Sequence, residues 1–209
     1  MRWLVAAVSV VAAVSCTSPR QPLRVAVTFA NTWTVGGEGL AAEERSRIMH
    51  QALDTMRSAF SEFDVVVAEA PSANRARVIR VEDTPAVRTP FFGAAGVTYP
   101  AARTSSVRFD VLANLELALV HCRDFARCAT MSRGALVEGL GRGIGATAAH
   151  ELGHQAGFRF AVDSPCDDCY DGATSTSPAH FFGQKHWSDR ALLIMKRTLP
   201  RAARRKEGA

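Results

Sequence analysis

Hydrophobic and polar positions alternate along this chain in two distinct periods. Residues 23–30, Leu-Arg-Val-Ala-Val-Thr-Phe-Ala, carry β-forming side chains on a period of two and predict a buried strand, followed by a turn at Gly36-Gly37. From 41 to 60 the period lengthens: Ile48, Ala52, Met56 and Phe60, flanked by Leu53 and Ala59, form one stripe opposite a charged face, which predicts an amphipathic helix. Residues 64–70 and 76–81 read as two more strands, and the segment from Phe91-Phe92-Gly93 to Tyr99 as another. Residues 105–112 read as a strand because Val107, Phe109 and Val111 alternate with Arg108 and Asp110. Residues 115–125 fit either a short helix or a loop crossing.

Helical spacing returns from about residue 135, with Leu136, Leu140, Ile144, Thr147, Glu151 and His154 near one stripe. Gly139, Gly141, Gly143 and Gly145 oppose it, since each glycine inside a helix costs about 1 kcal/mol relative to alanine. Either the helix starts only near 143, or the glycines admit close packing against the sheet. No Gly-Lys-Ser/Thr follows them, which excludes a nucleotide-phosphate loop. After Gly157 periodicity lapses until Trp187; Ser188 then caps a last helix with Ala191, Leu192, Met195 and Leu199 on its apolar face.

This order predicts an α/β fold of the α+β kind: a mixed sheet packed on an N-terminal helix and a second, long helix, then an irregular C-terminal part and a final helix. With 209 residues, 47% hydrophobic and 22% charged, the chain suits one domain, placed at 23–200. The net charge of +5 is scattered, its one dense run being Arg201, Arg204, Arg205 and Lys206. Residues 201–209 are therefore read as a solvated basic tail, and no nucleic-acid partner is expected.

Residues 1–15 differ in kind. Arg2 precedes an apolar or small-residue stretch from Trp3 to Val14, too short for a comfortable membrane span and ending in small residues, which describes an export signal. Ala13-Val14-Ser15-Cys16 resembles a bacterial lipobox, in which the cysteine carries the lipid; residues 16–22 then form a tether, and the expected location is the bacterial cell envelope, lipid-anchored if Cys16 is modified and otherwise secreted or periplasmic. The only membrane contact expected is that lipid. Setting Cys16 aside leaves Cys122, Cys128, Cys166 and Cys169, an even number that favours disulfides in an exported protein. The local pairs 122–128 and 166–169 are the simplest connectivity; the alternative for Cys166-Asp167-Asp168-Cys169 is part of a metal site.

The chemistry lies in His150-Glu151-Leu152-Gly153-His154. Histidines at i and i+4 of a helix point the same way one turn apart, so both imidazoles can reach one zinc ion at about 2.0–2.1 Å. Glu151 falls on the adjacent strip, where it reaches a water held by the metal rather than the metal itself. Burying two histidines and a glutamate without a use carries a large desolvation penalty.

His150-Glu151-Leu152-Gly153-His154-Gln155-Ala156-Gly157 resembles the zincin peptidases, and Gly157 narrows the resemblance to the metzincin branch. It implies that the active-site helix ends at a glycine turn leading to a third ligand, and that an edge strand of the sheet holds the substrate backbone. The chain departs from that pattern at Phe160, which stands where the third histidine is usual, and it lacks a methionine where the family's Met-turn falls. His180, His186 (followed by Trp187, as in leishmanolysin-like enzymes) and Asp163 remain as third-ligand candidates. Tyr170 is a candidate oxyanion donor or a packed tyrosine. The expectation is a monomeric zinc metallopeptidase with Glu151 as general base, acting on a peptide or protein substrate. The alternatives are a catalytically degenerate zincin that binds an envelope peptide or partner, and a zinc hydrolase of non-peptide amides.

Overall fold

The computed structural model describes residues 21–31, 33–35, 38–69, 76–83, 94–158, 164–172 and 177–202. Residues 1–16 and 203–209, the Gly36-Gly37 turn and residues 91–93 lie outside them. Among the described residues, no helix is long and apolar enough to cross a membrane.

The fold is α+β. Strands β1 (Leu23–Phe29), β4 (Val65–Glu69), β5 (Arg77–Glu82), β6 (Gly96–Tyr99) and β7 (Thr104–Arg108) form a five-stranded sheet in the order β4-β1-β5-β7-β6. All neighbours are parallel except β6, which runs antiparallel to β7 along one edge. Val25, Ala26 and Val27 of β1, an interior strand, are consecutive and all buried, as a strand covered on both faces requires. A two-stranded ribbon, β2 (Thr34–Val35) with β3 (Glu38–Gly39), flanks the expected Gly-Gly turn.

Helix α1 (Ala42–Ala59) buries Ile48, Ala52, Leu53, Met56 and Ala59, the predicted stripe. Helix α3 (Arg133–Gln155) runs unbroken through all four glycines; Ser132 caps it by accepting the Ala135 N–H at 3.2 Å. Its glycines serve two faces. A methyl group at Gly141 or Gly145 would collide with α1, at the Ile48 carbonyl and Gln51 or the Ala52 carbonyl and Thr55. One at Gly139 or Gly143 would strike the rings of Phe182 and Phe181 on α4 (Pro178–Phe182). The close packing is thus against α1 and α4 rather than the sheet. Contacts advance together along α1 and α3, from Glu44–Arg133 (Nη2–Oε2 3.0 Å) to Thr55–Gly145, so the two helices run side by side in one direction.

The strand expected at 105–112 ends at Arg108, and α2 (Phe109–Leu119) begins there, resolving the ambiguity at 115–125. Phe109, Leu112, Ala113, Glu116 and Leu117 are buried with helical spacing. Val107 and Phe109 satisfy both periods, and only burial of Leu112 and Ala113 together separates them. Helix α4 falls in the stretch without periodicity; its sequence mark is Ser177-Pro178, a cap whose side chain accepts the Ala179 N–H and a proline in the first turn. Helix α5 (Asp189–Thr198) starts at Ser188 as expected and buries Ala191 and Met195. Cys122–Cys128 and Cys166–Cys169 lie at disulfide distance, 2.11 and 2.09 Å between sulfurs, in the expected connectivity.

Candidate metal centre

The last turns of α3 carry His150, Glu151 and His154, and the helix stops at once. Gly157 adopts a φ of +123°, a backbone conformation that a residue with a Cβ rarely takes, and the chain folds back so that the Phe158 N–H reaches the Gly153 carbonyl at 3.1 Å. The Phe158 ring then lies over Gly153, where any side chain would strike it. Both glycines of the motif are therefore required by this reversal.

The reversal also orients the imidazoles. His150 Nδ1 lies 2.9 Å from the Tyr170 carbonyl, and His154 Nδ1 lies 3.4 Å from the Phe158 carbonyl. A carbonyl only accepts, so each Nδ1 carries a proton, and at most one Nε2 can carry a second. The two Nε2 atoms face each other at 2.9 Å. Two nitrogens at that separation share a proton or hold a cation between them. Two nitrogens on one tetrahedral zinc sit about 3.3 Å apart, given Zn–N of about 2.0–2.1 Å. A few tenths of an ångström separate this pair from that geometry.

Glu151 is only 6% exposed and turns toward the edge strand. Thr98 on β6 places its hydroxyl 2.5 Å from Oε2, and Gly96 leaves room where a Cβ would overlap the carboxyl group. Behind Thr98 stands Ser105, 2.7 Å away and its register partner across β6 and β7. Gln155, in the last turn of α3, donates its amide to Ser105 Oγ at 2.7 Å and to the Val78 carbonyl at 3.2 Å. Since Ser105 accepts from Gln155 it can donate to Thr98, and Thr98 to Glu151. The chain of donors ends on a carboxylate oxygen, where charge-assisted bonds are strongest. Thr98 and Ser105 escaped the sequence reading; Gln155, inside the motif yet polar and buried, was the available signal.

The third-ligand candidates part company. His180, 7% exposed, directs Nε2 to the Gly143 carbonyl and Thr147 Oγ1, both at 3.0 Å, about two turns and one turn before His150 on α3. Burial, and then the Lys185 charge, push its pKa down to about 3, so it stays neutral. His186 has 61% of its side chain exposed and belongs to a different group, with Cys169 and Asp168. Asp163 and Phe160 lie outside the described residues. The Tyr170 ring packs on Trp187, centroids 5.1 Å apart, and it is the Tyr170 backbone that serves His150. Family models, curated proteins and solved structures all return no match to this chain.

Proposed function

We propose that the chain is a zinc-dependent metallopeptidase with Glu151 as general base. The observation that carries this reading is the convergence of the two Nε2 atoms at 2.9 Å, with each Nδ1 turned to a backbone carbonyl. The donor set fits the ion: two imidazoles whose Nε2 atoms converge while each Nδ1 is held from behind by a backbone carbonyl, as metal-binding histidines require. With His180 Nε2 turned to the Gly143 carbonyl and Thr147, and His186 grouped with Cys169 and Asp168, we propose Asp163, six residues past Gly157, as the third ligand. When bound, zinc supplies Lewis acidity to the scissile carbonyl and acidity to a neighbouring water.

The chain's own groups do the rest. Glu151 takes the proton of the attacking water and returns it to the leaving amine, and Thr98 holds the carboxylate in place for both transfers. Strand β6 ends the sheet, so an extended peptide can pair along its outer edge and present its carbonyl to the helix end.

Zinc content and peptide hydrolysis in the wild type and in Glu151→Gln test the reading. About one zinc per chain, with hydrolysis lost in the variant at unchanged zinc content, is expected. Absence of zinc overturns the reading, and zinc bound without hydrolysis favours the degenerate, partner-binding alternative. On residues 1–16 alone we also propose export and a lipid on Cys16; fatty-acid labelling that persists in Cys16→Ala counts against it.

A further inference from the structure

A second group of metal-ligand side chains stands apart from the histidine pair. Cys166, Asp168, Cys169 and His186 each place one ligand atom so that all four lie within 4.8 Å of one another. Their backbone is fixed independently of the sulfurs: Cys169 and His186 form a parallel bridge, the Tyr170 N–H donates to the His186 carbonyl at 2.7 Å, and the His186 N–H donates to the Asp168 carbonyl at 3.1 Å. Cys169 Sγ lies 3.6 Å from His186 Nε2. A thiolate and an imidazole on one tetrahedral zinc sit about 3.5 Å apart, given Zn–S of about 2.3 Å and Zn–N of about 2.0 Å. Asp168 Oδ1 is 2.9 Å from Cys166 Sγ, although the disulfide has no proton to place between them. Asp168 and His186 are exposed and Cys166 is partly so, which leaves the group open to solvent.

We propose that these four side chains form a second, redox-gated zinc site, closed as a disulfide in the oxidised protein and opened when a dithiol or phosphine reduces it. With a phosphine, the S–S bond breaks, the two sulfurs take up the protons of one water, and its oxygen leaves as phosphine oxide. Binding then releases both thiol protons to solvent, and Cys166 Sγ, Cys169 Sγ, His186 Nε2 and an Asp168 oxygen complete four-coordination. Two thiolates make the site softer than the histidine pair and suit it to zinc over magnesium or calcium. The site also has a route to the first: the Tyr170 N–H donates to the His186 carbonyl, and the Tyr170 carbonyl accepts from His150 Nδ1.

Cobalt(II) titration of the full chain in a His150→Ala/His154→Ala background tests this without depending on the peptidase reading. The phosphine-reduced protein takes up one cobalt with a thiolate-to-cobalt charge-transfer band, and the oxidised protein shows none. His186→Ala and Asp168→Asn each weaken the reduced site about tenfold or more. No band on reduction, or equal binding in both variants, overturns the proposal. Because reduction opens Cys122–Cys128 as well, alkylation of the reduced wild type provides a second reading. Zinc slows alkylation at Cys166 and Cys169 but not at Cys122 and Cys128; equal rates at all four overturn it.

Discussion

Of the three buried glutamates among the described residues, two meet opposite fates. Glu151 on α3 is 6% exposed and receives the end of a chain of hydroxyl and amide donors from β6, β7 and its own helix. Glu116 on α2 is fully buried against Gly139, and neither of its carboxylate oxygens has a hydrogen-bond partner among the described residues. Burial pushes its pKa up to about 9, against a weaker pull from Arg142, so Glu116 is a neutral acid at physiological pH. Burial is common to both; what distinguishes the candidate general base is the donor chain built for its carboxylate. A buried acid without such a chain is a tolerated cost to folding.

That contrast can be broken from either side. The largest effect is expected on Glu151→Gln, which removes the base but not the shape: peptide hydrolysis falls by about 10²–10⁴ while zinc content and thermal midpoint hold. A variant retaining most activity would put Glu151 on the same footing as Glu116.

Glu116→Gln comes next. A carboxyl whose folded pKa is raised from 4.5 to about 9 contributes its full stability below 4.5 and loses it progressively up to about 9. The loss is about 1.4 kcal/mol per pH unit, or up to about 3 kcal/mol at pH 7. Glu116→Gln should therefore raise the midpoint of denaturation at pH 7–8 and flatten its fall with pH. A variant whose pH dependence matches the wild type would show that Glu116 is not the source.

Thr98→Val strips Glu151 of its nearest donor, and activity is expected to drop about tenfold, with a distorted pH profile that Thr98→Ser restores. Loss of stability alone, with the pH profile unmoved, would reduce Thr98 to packing. Ser105→Ala, one step further back, should cost about 1 kcal/mol of stability and a smaller share of activity.

Legibility in the sequence follows the range of the interaction. Strand β1 and helices α1 and α5 are set by periodicity and caps within one segment, and they appear where the chain alone puts them. The start of α2 was hidden because Val107 and Phe109 fit two periods at once. The helical state of residues 133–145 was hidden because its glycines are justified only by α1 and by Phe181 and Phe182. Thr98 is invisible without the register that sets it opposite Ser105, since a slip of one residue in β6 would turn its hydroxyl to the other face. His180 and His186 look alike as letters; one is spent on a backbone carbonyl and the other stands beside a disulfide.

The glycines of α3 also govern the order in which the protein can assemble. Four of them inside one helix cost about 4 kcal/mol against alanine, so the segment does not hold a helix as a free peptide. It becomes one by docking on α1, a partner 89 positions away at the Glu44–Arg133 contact. Such distant pairings form late and slowly, because a long loop must close before they repay its entropy. The two imidazoles are therefore brought into line by the globule rather than by the segment that carries them. On the proposed zinc reading, an ion arriving early in synthesis would find no site and would act as a late lock on a finished molecule, not as the nucleus around which it forms.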